Sequence, residues 1–330
     1  LPGAATLAQA DPGLRADVEK GLAAVETRLQ DAVQSSNALV TQVSRHLQDA
    51  GGKRSRPLLA LLAAHLGDAS RPEVVDAAVV VELTHLASLY HDDVMDEALV
   101  RRGAASANAR WTNTVAILTG DYLFARASDV VAGLGPEAVR IQSRTFARLV
   151  EGQISETAGP AAGEDPVAHH LQVLADKTGS LIATSARLGA MQAGAPQDVV
   201  ERVAEFGEAF GLAFQLSDDL LDITSETGQS GKTPGTDLRE GVRTLPVLLA
   251  LADDAPEHAR LRELLSGPLE DDARHGEALA LLRAHPAMAA AGEHLAAAVR
   301  QAQETAQGLP AGPAREALLL LAAHVVARTG

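Results

Sequence analysis

The chain has 330 residues, a formal net charge of −15 and a hydrophobic share of 46%, of which aromatics make up only 2% of the chain. The negative balance argues against a general nucleic-acid binder. The absence of cysteine excludes disulfides and thiol chemistry and fits a cytoplasmic setting. A core of Ala, Leu and Val favours helix, so an all-α bundle is expected. No linker, low-complexity block or repeat marks a boundary, so residues 1–330 are expected to form a single domain of roughly ten or more helices. No apolar run is expected to span a membrane; Leu318 to Val326 is too short. Leu1-Pro2-Gly3-Ala4 has neither a basic stretch nor an apolar signal core, so no secretory signal is expected.

Residues 1–12 read as a loose N-terminal arm. Helical patterns follow from Leu14 to Leu29 and from Ala38 to Asp49. Gly51-Gly52-Lys53-Arg54-Ser55-Arg56-Pro57 interrupts them, its two glycines permitting a tight turn. The cations here, beside a helix predicted from Leu58 to Leu66, suit a phosphate or diphosphate clamp. From these residues alone, a basic loop on a solvated face reads equally well.

Ser70-Arg71-Pro72-Glu73 has the form of a capping box. It opens a helix predicted from Pro72 to Ala98, about 40 Å long and apolar around most of its circumference. His85 lies on its acid side. The helix ends in His91-Asp92-Asp93-Val94-Met95-Asp96-Glu97, where Met95 reads as packing. Asp92 and Asp96, and Asp93 and Glu97, would be i,i+4 neighbours, and like charges at that spacing weaken a helix.

Arg101-Arg102-Gly103 reads as a basic turn, and residues 103–113 as a loop holding Trp111. Helices are predicted from Val115 to Val131, with Asp121, and from Pro136 through Glu151-Gly152-Gln153. Gly159 to Pro166 is a loop. The next helix carries Lys177-Thr178-Gly179-Ser180, whose lysine reaches either a phosphate or solvent. His169-His170 reads as surface.

A second long helix, Gln197 to Ile223, ends in Asp218-Asp219-Leu220-Leu221-Asp222, where the helix dipole disfavours carboxylates. Gln215 shares a face with Asp218. Two DDxxD clusters at unfavourable positions point to a shared hard cation. Carboxylate oxygens suit Mg²⁺, which bridges carboxylates to substrate phosphates. Two solvated acidic patches are the plainer alternative, and recurrence on two long apolar helices weighs against it. The segment Gly228 to Gly235 places Lys232 beside the second cluster without the spacing or preceding strand of a Walker A loop. Asp237 to Ala252 is predicted helical. The remainder is Ala/Leu-rich helix, broken near Gly267-Pro268, Pro286 and Gly308 to Pro313, with no recognisable chemistry.

From about residue 35 to the end, the sequence resembles the trans-isoprenyl diphosphate synthases, the all-α head-to-tail prenyltransferases, and within them the long-chain polyprenyl diphosphate synthases. Gly51 to Pro57 looks like that family's GGKRxRP segment. Asp92, Asp93 and Asp96 with Arg101-Arg102-Gly103 resemble its first aspartate-rich motif, and Gln215 with Asp218, Asp219 and Asp222 its second. One departure stands in Glu240-Gly241-Val242-Arg243-Thr244-Leu245-Pro246, where the family often has a lysine in place of Val242.

The resemblance implies the isoprenoid synthase fold, a helical bundle around a central cavity, and Mg²⁺-dependent condensation of isopentenyl diphosphate with an allylic diphosphate. It implies a catalytic set of Asp92, Asp93, Asp96, Lys177, Asp218 and Asp219. It also implies roughly three Mg²⁺ ions, held by Asp92, Asp96, Asp218 and Asp222. Lys53, Arg56, His85 and Arg102 would hold the diphosphate of isopentenyl diphosphate. Arg101, Lys177, Thr178, Gln215 and Lys232 would hold the allylic one, with Arg54 supporting. The resemblance further implies a homodimer and a role in quinone side chains; peripheral membrane contact during product release is compatible with it.

Chain length is read from the helix before Asp92. Ala87 and Ser88, then Thr84, Val81 and Ala77, would line the path of a growing chain, and no Phe, Tyr or Trp lies from Pro72 to Leu89. Short-chain members carry a bulky residue in that first turn, so a product beyond geranylgeranyl diphosphate is expected, with Phe146 or Leu149 as candidate floor. Close packing between helices is the alternative explanation of Ala87 and Ser88. Two further functions stay open. A class I terpene cyclase would generally lack the GGKRxRP segment, and a non-catalytic partner subunit of a heteromeric synthase would lose aspartates.

Overall fold

The computed structural model describes residues 8–225 and 234–326. Among these, the chain is all-α apart from one two-stranded hairpin. By its internal contacts it divides into two compact units. The first comprises residues 1–148, 181–207 and 305–321; the second comprises residues 149–180, 208–304 and 322–330.

In the first unit, Asp11 opens α1 (Pro12–Ala32), its carboxylate accepting the backbone N–H groups of Gly13 and Leu14. Asn37 caps α2 (Ala38–Asp49) in the same way. Helix α3 (Ser55–Ala64) starts three residues earlier than predicted, so Ser55 and Arg56 are helical. Helix α4 (Glu73–Met95) is the core of the unit, with Val, Ala and Leu buried on most of its sides. The predicted capping box does not form. Ser70 Oγ donates to Asp68 instead, at 2.6 Å, and Pro72 precedes the helix with no side-chain cap.

Among the described residues, α4 alone is long and apolar enough to cross a membrane, contrary to the expectation that no run would be. It is two-thirds buried in protein, as a core helix would be. It also ends at Met95, short of the predicted Ala98. The chain then forms β1 (Val100–Arg101) and β2 (Ala104–Ala105), paired antiparallel, and the single-turn α5 (Ala107–Arg110), where a loop was expected. Helix α6 (Asn113–Ala132) packs along α4. Their approach is close at Gly120, where a Cβ would come 2.3 Å from Nε2 of His91. Met95 is exposed, not packed.

Several helices have residues in both units, among them α7 (Pro136–Ala158) and α10 (Gln197–Thr224). In the second unit, α8 (Pro166–Leu174) runs into one π-helical turn, Ala175–Gly179, before α9 (Ser180–Gln192) begins. The helix predicted from Asp237 to Ala252 is two. Gly241, in a left-handed conformation with φ 76°, separates α11 (Thr236–Glu240) from α12 (Leu245–Leu251). Ile223, Leu238, Val247, Leu264 and Leu282 form part of a hydrophobic core there, joined by side chains of α13 (Ala259–Leu264), α14 (Asp272–Ala284) and α15 (Pro286–Gln307). Helix α16 (Pro313–Val326) follows.

Candidate active site: two acid clusters and their basic partners

The first acid cluster straddles the end of α4. Asp92 and Asp93 are helical, Asp96 is the C-cap and Glu97 turns left-handed at φ 50°. Asp93 and Glu97 are therefore not helical neighbours, as the longer predicted helix would have made them. Tertiary contacts stop the helix. Ala98 N–H donates to the Asp93 carbonyl at 2.9 Å, and Asn108 Nδ2 donates to the carbonyls of Asp93 and Ala98, each at 3.1 Å. Within the cluster the carboxylates divide. Asp93 is fully buried and receives Nε of Arg101 at 2.5 Å, whereas the Asp96 side chain is 60% exposed and 3.9 Å from the same guanidinium. Burial pushes the Asp93 carboxyl up from its ordinary pKa, against the pull of Arg101.

The basic turn lies in the same unit. Arg102, left-handed at φ 55°, donates Nη1 to the carbonyls of Leu47, at 2.8 Å, and Gly51. A Cβ on Gly52 would stand 2.9 Å from the Arg102 guanidinium carbon, so the turn can wrap this cation only with glycine there. Arg54 is fixed on several sides. Nε and Nη2 reach Glu26 at 2.9 and 3.2 Å, Nη1 reaches Glu82 at 3.0 Å, and Nη2 also reaches the Gln48 carbonyl at 3.2 Å. Burial lowers Arg56 to about 10, still charged at neutral pH, and its Nε has no hydrogen-bond partner. His85 is held well below the ordinary histidine range, first by burial and then by Arg56, Arg102, Arg101 and Arg54, so it is neutral at pH 7. Lys53 is exposed beside them.

The second cluster ends α10. Asp219 is buried and accepts Nε2 of Gln215 at 3.1 Å, while Thr178 Oγ1 donates to Gln215 Oε1 at 3.4 Å. Asp222 accepts the backbone N–H groups of Thr236 and Asp237 at 3.2 and 3.1 Å, tying the start of α11 to α10. Lys177 lies in the π turn and pairs with Glu156 at 2.5 Å, pointing neither at open solvent nor along a regular helix. Such turns recur at functional sites because they re-aim a side chain. His170 corrects the surface reading. Its side chain is 15% exposed and its Nε2 lies 3.6 Å from Asp219 Oδ2. Lys232 lies outside the described residues. Val242 is exposed.

Each cluster, taken by itself, offers carboxylate oxygens, the donors of a hard cation, and each has one that is buried without a hydrogen-bond partner, Asp93 Oδ2 in the first and Asp219 Oδ2 in the second. The partners Glu26, Glu82, Glu156 and His170 were missed in the sequence. Glu82, a lone acid in an apolar helix three residues before His85, was the one legible signal.

A further cluster lies in the stretch read as free of chemistry. Asp253, His258 and His285 offer ligand atoms within 4.8 Å of one another. Ala287 N–H donates to His285 Nδ1 at 3.0 Å, so a neutral His285 carries its proton on Nε2, facing Asp253 Oδ2 at 3.4 Å. His258 Nδ1 meets the same oxygen at 2.8 Å. This tautomer leaves His285 no lone pair for a metal, and Asp253 is held by a hydrogen bond with His258 while His285 Nε2 faces it without one.

A family model described as Polyprenyl synthetase matches residues 37–282. The chain is 50% identical to nonaprenyl diphosphate synthase of Mycobacterium tuberculosis over 321 residues, 97% of this chain and 96% of that one. It is 44% identical to heptaprenyl diphosphate synthase component 2 of Geobacillus stearothermophilus over 234 residues, 71% of this chain and 73% of the relative. Its fold superposes, with TM-score 0.88 and 46% identity, on a crystal structure of geranylgeranyl pyrophosphate synthase from Corynebacterium glutamicum complexed with calcium and isoprenyl diphosphate, covering 97% of this chain and 98% of that one.

Proposed function

The chain belongs to the polyprenyl synthetase family, and from that premise we propose that it condenses isopentenyl diphosphate head to tail with an allylic diphosphate, giving an all-trans polyprenyl diphosphate longer than geranylgeranyl. The observation that carries this reading is the intact pair of aspartate clusters, each with a buried carboxylate oxygen that no hydrogen bond satisfies. A non-catalytic subunit would not need to keep them. The full-length match to synthases supports treating residues 1–330 as one synthase domain. It also weighs against a terpene cyclase.

Asp92, Asp96, Asp218 and Asp222 would hold Mg²⁺, which when bound supplies Lewis-acid neutralisation of the leaving diphosphate. The calcium in the similar C. glutamicum structure supports a divalent cation. The chain's own residues do the rest. Lys53, Arg56, Arg102 and the neutral His85 hold isopentenyl diphosphate. Arg101, braced by Asp93, and Lys177, braced by Glu156, bind the allylic diphosphate with Thr178, Gln215 and Lys232. The allylic C–O bond breaks, the double bond of isopentenyl diphosphate adds to that carbon, and a proton leaves to the released diphosphate. Ala87, Ser88, Thr84 and Val81 give the growing chain an aromatic-free wall that excludes water from the cationic centre.

Leu99, Val100, Ile117 and Leu118 are exposed apolar side chains of the first unit, which supports a homodimer. The lack of cysteine supports the cytoplasm. A two-component enzyme is the second reading, favoured by the relative whose name includes component 2. Purified protein alone, given Mg²⁺, farnesyl diphosphate and isopentenyl diphosphate, should yield linear products longer than geranylgeranyl diphosphate by mass spectrometry, and a chelator should abolish them. Product only after a second protein is added favours the two-component reading. A cyclic hydrocarbon would overturn the synthase assignment.

A further inference from the structure

Glu82 is a carboxylate in the middle of α4, 1% exposed, on a helix whose other buried residues are mostly Val, Ala and Leu. A buried charge persists there only with close partners. Its partner is Arg54, at 3.0 Å. The rest of that guanidinium is taken by Glu26 and the Gln48 carbonyl, and Gln48 Nε2 in turn donates to Glu26 Oε1 at 3.2 Å. Arg54 thus spends both of its two-donor edges on protein and has no fork left for a diphosphate.

Its place in the chain matters. Arg54 is the left-handed residue, φ 44°, between Gly51-Gly52-Lys53 and the first turn of α3. Whatever holds Arg54 sets where Lys53 and Arg56 point on either side. Glu82 is also the chief opposite charge acting on both Arg56 and Arg102, which otherwise repel one another. One buried acid is therefore paired with Arg54 and offsets the mutual repulsion of Arg56 and Arg102.

We propose that Glu82, working through Arg54 together with Glu26, is a positioning residue for the isopentenyl diphosphate clamp, holding the Gly51-to-Arg56 turn in its binding form while the diphosphate is absent. This rests on the assignment of Lys53 and Arg56 to that diphosphate. The alternative has the opposite sign. A carboxylate that acted only through its charge would repel the incoming anion, and removing it would tighten binding.

The test is calorimetric binding of isopentenyl diphosphate to wild-type and Glu82→Gln protein, which needs no turnover, alongside steady-state KM values for both substrates. The expected result is a Kd and KM for isopentenyl diphosphate raised about tenfold, as for one misplaced charge-assisted hydrogen bond. The KM for farnesyl diphosphate should move less than about twofold, and Glu82→Asp should be intermediate. Unchanged or tighter binding in Glu82→Gln overturns the proposal, as does an equal rise for both substrates. Should Glu82→Gln not fold, Glu26→Gln cuts the other side of the same network at a side chain 39% exposed, and unchanged binding there overturns it as well. Wild-type protein that binds isopentenyl diphosphate but makes no product refutes the proposed reaction alone; wild-type protein that does not bind it refutes both.

Discussion

Arg102 lies against Gly52 so closely that a Cβ there would meet its guanidinium carbon at 2.9 Å, while the same guanidinium is anchored to the carbonyls of Leu47 and Gly51. Gly52→Ala should therefore displace Arg102 and also strain the turn, because Gly52 sits at φ 155°, a conformation that residues with a side chain rarely adopt. The expected outcome is a KM for isopentenyl diphosphate raised by roughly tenfold with little change for the allylic primer. Lys177→Ala should give the reverse pattern. A Gly52→Ala enzyme with a normal KM would show that Arg102 does not serve that diphosphate.

The DDxxD acids should separate in their effect on stability. Asp96→Asn should lower turnover by orders of magnitude and leave the melting temperature nearly unchanged, since a surface pair contributes about 0–1 kcal/mol. Asp93→Asn should lower turnover and raise the melting temperature, because burial opposes the Asp93 charge more than Arg101 supports it and the neutral side chain removes that cost. Circular dichroism melts beside activity assays decide the point, and equal melting temperatures for the two variants would refute the division.

The clusters were legible because each breaks a local rule. Asp92 with Asp96 repel along a helix, and Asp218 to Asp222 sit at the wrong end of a helix dipole. What local rules cannot show is where tertiary contacts intervene. The caps from Asn108 and Ala98 end α4 early and turn Asp93 inward, away from Asp96. The π turn that aims Lys177 at Glu156, and the approach of His170 to Asp219, likewise depend on which helices pack together, which periodicity does not encode.

His85 gives a pH signature. Its folded pKa is depressed well below the ordinary value of about 6.5 by burial and by four arginines. The folded state therefore binds fewer protons than the unfolded one in this window, and stability rises with pH. The stabilisation is complete above about pH 6.5 and is lost as pH falls toward the folded pKa. His65 and His285 are shifted in the same direction and add to the slope. In urea titrations between about pH 7.5 and 5, His85→Gln should show a shallower fall in stability than wild type. An unchanged slope would mean that His85 is not held neutral.

The path proposed for the growing chain runs along α4. Ala87 is fully buried and Ser88 8% exposed, its hydroxyl donating to the carbonyl of His85 on its own helix, so neither side chain offers a polar group to a passing hydrocarbon. Thr84 likewise returns its hydroxyl to Val80, at 2.8 Å. A helical turn rises about 5.4 Å, close to one isoprene unit, so a Phe at position 87 or 88 should floor the path after few additions. Phe146 meets Phe124 in a tilted contact with ring centroids 4.1 Å apart, and Phe124 in turn meets His91 at 5.7 Å, an aromatic group in a chain with few. Ala87→Phe and Ser88→Phe should shift products to about farnesyl or geranylgeranyl length while ionisation continues, and Phe146→Ala should lengthen them. If Ala87 and Ser88 serve only helix packing, both Phe variants should instead lose about 1–3 kcal/mol of stability through overpacking and keep the wild-type product distribution, which would end the argument that the chain grows along this helix.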